Sequence, residues 1–170
     1  MNATIDLGTL AELGVAIAGF GTLIVLFRGG SIGSWHPRLR MALWYIVCQG
    51  LGAVLFALLP SLLLVMSPFH WPAALITLAC FHAGAVATLI RRHLVLVADG
   101  NRTPNLWFYW LNAGVAAANV LILGAGAFGW LSTAPDVTYR FGVASCVILA
   151  GFAFIGVLRQ VQHVEATEGE

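Results

Sequence analysis

Lysine is missing altogether, and charged residues of every kind fill only 9% of the 170 positions. A soluble domain carries about 25% charge and about 45–50% apolar residues, whereas this chain is 60% hydrophobic. That excludes an ordinary water-soluble globule. It equally excludes a disordered chain, which needs high charge and low hydrophobicity. The missing lysine excludes a retinal Schiff base. A net charge of +1 leaves no basic domain to hold a nucleic acid. Cysteine is scarce and odd in number, and Cys48, Cys80 and Cys146 all lie in apolar runs at spacings that match no metal motif. They read as small packing residues. G-x-S-x-G, H-E-x-x-H and P-loop motifs are absent. Asp6 and Glu12 share one helix, so no carboxylate pair faces across a site. The sequence leans away from an enzyme and calls for no cofactor and no metal.

What is present is apolar sequence in five long runs. A spanning helix needs about 20 predominantly apolar residues, and the runs lie at about residues 7–27, 41–59, 72–90, 106–131 and 139–158. Each is too continuously apolar for a barrel strand, which alternates. The fold class expected is an all-α integral membrane protein, a single membrane domain of five transmembrane helices over residues 1–170, with a short acidic tail at 159–170. The opening stretch lacks the positive n-region of a signal peptide and carries Asp6 and Glu12, so it reads as the first span. Punctuation supports the boundaries. Ser34 and Pro37 precede span 2, Pro60 closes it, Ser67, Pro68 and Pro72 fill a loop, and Asp99-Gly100-Asn101 is a turn signal. Thr103-Pro104 opens span 4 and Asp136 caps span 5. Leu94 to Ala98 continue span 3 past its arginines.

All eight basic residues are arginines. Arg28, Arg38 and Arg40 lie in connector 1–2, Arg91, Arg92 and Arg102 in connector 3–4, and Arg159 after span 5, leaving Arg140 alone on the other side. The positive-inside rule then places the N-terminus outside and the acidic C-terminus (Glu165, Glu168, Glu170) in the cytoplasm, as in a bacterial inner membrane. The six tryptophans, Trp35, Trp44, Trp71, Trp107, Trp110 and Trp130, fall near span ends, where amphipathic rings prefer to lie.

Polar residues inside spans are costly and so mark candidate function. Counting about 1.5 Å per residue, Gln49, His82 and Asn119 fall near the centres of spans 2, 3 and 4, and Ser145 slightly outside that of span 5. Glu12 lies in the outer half of span 1 and Asn112 in the inner half of span 4, on the face of Asn119. Small residues flank them (Gly8, Ala16 and Gly19 beside Glu12; Gly52 and Ala53 after Gln49; Ala79 and Ala85 beside His82), which points these groups at other helices. Gly14-x-x-x-Ala18, Ala113-x-x-x-Ala117 and Gly114-x-x-x-Ala118 are further close-packing faces. Interhelical hydrogen bonding, worth about 0.6 kcal/mol per contact, accounts for Gln49, Asn119 and Ser145 without a function. His82 and Glu12 can change charge and are harder to explain as packing.

Three functions compete. The first is a homo-oligomeric channel or transport subunit, its path running from Glu12 through Gln49, His82 and Asn119 to Asn112, with Ser145 a further member of the polar layer, and ending at a basic collar of Arg28, Arg38, Arg40, Arg91, Arg92 and Arg102. A gate at His82 predicts conductance that changes between about pH 5 and 8. The second is a non-catalytic accessory subunit of a larger membrane complex. The third is a membrane redox or haem protein, for which His36 and His93, both near the inner surface, are the candidate pair. The partners expected are lipid and copies of the chain or another membrane protein. The glycine-rich segment from Arg28 to Ser34 is either a solvated loop or a contact for anionic headgroups.

Overall fold

The computed structural model describes residues 6–28, 37–64, 70–100 and 106–168, with the side chains of 25–28, 63–64, 106–108 and 159–168 outside that description. It contains α1 (Leu7–Arg28), α2 (Pro37–Leu64), α3 (Trp71–Ala98), α4 (Leu106–Ala127) and α5 (Pro135–Glu168), and no strand among the described residues. All five helices are long and apolar enough to cross a membrane. The protein is therefore an all-α polytopic membrane bundle, as its apolar runs predict. Trp35, His36, Ser34, Arg102, Thr103 and Pro104 lie outside the described residues.

The helix ends follow local chemistry. Asp6 caps α1, its carboxylate accepting the Thr9 N–H at 3.2 Å. Asp99 and Gly100 end α3, with Gly100 at φ 79°. Span 4 was expected to reach Leu131, but α4 stops at Ala127. Gly129, at φ 70°, bonds back to the Gly126 carbonyl at 3.2 Å, and the Trp130 N–H bonds to the Ala125 carbonyl at 2.9 Å. These are the two bonds of a Schellman motif, which needs a glycine in the left-handed conformation. Pro135 is the first residue of α5, so Asp136 lies within the first turn instead of capping it, 4.0 Å from Arg140.

Pro60 does not close span 2. It lies inside α2, which runs on to Leu64. Proline has no N–H to give the carbonyl four residues back, which here is Phe56. The Tyr139 hydroxyl of α5 donates to that Phe56 carbonyl instead, at 2.7 Å in a buried position. A side chain from another helix thus replaces the missing rung, and the helix continues.

Helix α5 is the hub and packs against all four others. Helices α1 and α2 approach at backbone level. A Cβ placed on Gly14 would stand 2.7 Å from the Gly50 carbonyl oxygen, and one on Gly50 would stand 2.7 Å from that of Gly14. Gly52 likewise leaves room for the Phe81 ring of α3, and Gly142 for Leu78 and Leu123. Two apolar clusters result. One joins Phe56, Leu75, Leu78, Leu123, Tyr139 and Val143. The other, toward the arginine-bearing ends, joins Leu39, Ile46, Leu89, Ala116, Leu149 and Val157.

Candidate functional site

On α2, α3 and α4 one polar residue separates the two apolar clusters. Gln49 lies between Ile46 and Ala53, His82 between Ala79 and Leu89, and Asn119 between Ala116 and Leu123. Ser145 completes the layer on α5 beside Cys146 and before Leu149. Gln49 and His82 are fully buried, Asn119 is 2% exposed and Ser145 3%. Four polar groups with apolar residues above and below them form a layer enclosed within one chain.

His82 anchors this layer to α5. Its Nε2 lies 3.3 Å from the Gly142 carbonyl oxygen and 3.3 Å from Ser145 Oγ, with Cys146 Sγ at 3.6 Å. A carbonyl only accepts, so the first contact assigns the proton to Nε2. Ser145 Oγ donates to the same carbonyl at 2.6 Å and accepts from the ring. The bare Nδ1 is then an acceptor, and it meets no donor among the described residues. The Asn119 amide nitrogen is a donor without an acceptor among those residues. Gln49 lies one turn from Tyr45, their polar ends adjacent, yet neither the Gln49 amide nor the Tyr45 hydroxyl forms a well-shaped hydrogen bond. Buried polar groups are almost always paired, with protein or with ordered water. A layer holding an acceptor and several donors in this state is wired for bound water.

The serine and histidine do not make a nucleophile and base. Activation needs the serine proton to point at the ring, and here it points at Gly142. The two described histidines of α3 do not pair either, since His82 and His93 are eleven residues apart on one helix, about 16 Å. His93 is buried at the arginine end, stacked on Tyr109 at 4.1 Å between ring centroids. Among the described residues no three metal-ligating side chains cluster.

Other expected residues fall elsewhere. Asn112 is buried nearer the arginine end of α4. Glu12 is not in the layer. It is exposed on α1, together with Gly8, Ala16 and Gly19 around it. Helix α1 carries two small-residue stripes, and the other one, Gly14, Ala18 and Gly21, meets α2. Gly114, Ala117 and Ala118 of α4 are also exposed, and so is Cys80, expected in the packing.

Arg38 is buried at the start of α2, whereas Arg40, Arg91 and Arg92 are exposed. The Arg92 guanidinium lies 4.6 Å from the centre of the Trp44 ring. The side chain of Arg28 and all of Arg102 lie outside the described residues. Sequence reasoning missed Tyr45 and Tyr139. The first was signalled by its place one turn from Gln49, the second by nothing local. No protein-family model matches the chain, and neither a curated protein nor a solved structure matches it.

Proposed function

We propose that this membrane protein is a transport subunit whose working element is the enclosed polar layer of Gln49, His82, Asn119 and Ser145. The single observation that carries this reading is that the layer is buried inside one chain with donors and an acceptor left over. Polar glue between helices would use those groups up. Bound water bridging them gives a hydrogen-bonded track for a proton or a small polar solute, leading past Asn112 toward the arginine end. The orientation is N-terminus outside, with the arginines facing the cytoplasm of a bacterial inner membrane, following the positive-inside rule.

The test is flux through the purified chain in liposomes across a pH series. The expected result is a flux that Gln49→Leu and His82→Leu each abolish while the variants retain their helical fold. Absence of flux at every pH sinks the reading.

A second reading has its own support. The exposed small-residue faces around Glu12 on α1 and at Gly114, Ala117 and Ala118 on α4 are surfaces on which another membrane helix packs closely. They favour assembly, either with copies of the chain or within a larger complex where this chain is an accessory subunit. Purification in mild detergent separates the two. Rings of identical chains fit a channel, and a stoichiometric different protein fits the accessory role.

A further inference from the structure

At the arginine end, α1, α2 and α3 border a groove of about 1130 Å³. Its walls and rim differ in chemistry. Arg40, Arg91 and Arg92 lie along it together with Trp44, while Thr22 of α1 and Ala87 of α3 belong to its otherwise largely apolar walls. Along α2 it extends from Pro37 to Val47, about 15 Å. No carboxylate is among the described residues that line it. The Arg92 guanidinium carbon lies 4.6 Å from the centre of the Trp44 ring, a cation–π contact that places this cation at the groove.

We propose that this groove binds a bilayer phospholipid of net negative charge, its phosphate held by Arg40, Arg91 and Arg92 and an acyl chain lying along Trp44 and Ala87. Charge complementarity selects the occupant. Three cations with no acid among them need an anion, and the apolar depth beneath them needs a hydrocarbon chain. A basic pocket between transmembrane helices meets both needs with one molecule. Guanidinium groups pair with phosphate through two parallel hydrogen bonds, which suits a chain whose every cation is an arginine. The inference is independent of whether the polar layer transports anything.

The experiment uses the full chain, purified in detergent and stripped of lipid. It is incubated with dioleoyl phosphatidylglycerol or with dioleoyl phosphatidylcholine, and bound lipid is counted by native mass spectrometry. The expected result is preferential retention of the anionic lipid. Each single Arg→Gln change at 40, 91 or 92 should weaken that retention about fivefold. Ala87→Trp, which fills the groove and leaves its charge intact, should reduce retention of the anionic lipid as strongly as the triple arginine change. Soluble glycerol phosphate, the headgroup without chains, should fail to displace the bound lipid. Thermal unfolding of each variant shows that the bundle is intact, since all four changed residues are exposed. Equal retention of the two lipids by the unchanged protein overturns the proposal. So does retention that survives the arginine changes. Retention untouched by Ala87→Trp, or lost to glycerol phosphate, shows an anion site without a lipid groove and overturns it as well.

Discussion

The two halves of the bundle are built by different rules. Away from the arginines, helices meet at backbone distance. Gly14 and Gly50 touch carbonyl to glycine, Gly52 lies under the Phe81 ring, and Gly142 admits two leucines. At the arginine end, α2 and α3 border a groove, and the ring of Trp44 meets a guanidinium there. Small residues let helices close where nothing else is wanted between them. At the arginine end, exposed cationic side chains line the groove instead. The far half is thus specified by what its glycines lack, and the arginine half by what its side chains reach.

The strongest way to break this contrast is Gly50→Val. Its Cβ would stand 2.7 Å from the Gly14 carbonyl oxygen and 3.0 Å from Ala18 Cβ. Neither the carbonyl nor the alanine methyl has a rotamer by which to move aside, so α1 must leave α2. The cost falls at or above the top of the overpacking range, about 3 kcal/mol, measured by denaturant unfolding in detergent. Gly84→Val on α3 is the control, because nothing lies within 4 Å of its added Cβ. It should shift stability by no more than about 0.5 kcal/mol.

Next in size is the repair at Pro60. Tyr139→Phe removes the hydroxyl that donates to the Phe56 carbonyl, and an orphaned buried carbonyl costs about 1–3 kcal/mol. Pro60→Ala returns the missing backbone N–H. In the double variant the helix supplies its own rung, so the loss caused by Tyr139→Phe should shrink. A double-mutant cycle reads that coupling directly. If the two changes add without coupling, the tyrosine does not stand in for the proline.

These contacts also mark how far the sequence could be read. The five spans were legible because an apolar run of that length has one solution in lipid. Gln49, His82, Asn119 and Ser145 were legible as one depth because each interrupts an apolar run near its centre, and the small residues beside Gln49 and His82 pointed these two inward. Glu12 was not, because Gly8, Ala16 and Gly19 look as much like a packing face as Gly14, Ala18 and Gly21 do, and only the neighbour decides which is covered. Pro60 read as a stop because its rescue comes from Tyr139, which is 79 residues away in sequence. The groove was invisible for the same reason, since it depends on how separate helices are placed.

The smallest expected effect tests the arginine end from inside. Trp44 is 38% exposed, and its ring carries the Arg92 guanidinium at 4.6 Å. A cation over an aromatic face at an exposed site contributes about 0.5–1 kcal/mol. Trp44→Leu keeps an apolar side chain and removes the face, so it should lower stability by less than about 1 kcal/mol, below the Tyr139→Phe loss measured in the same detergent. If the groove binds the anionic lipid proposed above, adding that lipid should widen the gap between wild type and variant, since the ring lies against one of the three arginines at the groove. A loss from Trp44→Leu as large as that from Tyr139→Phe would mean that the groove is a packed core in its own right. The two halves would then follow one rule, with glycine and aromatic contacts closing the bundle from end to end.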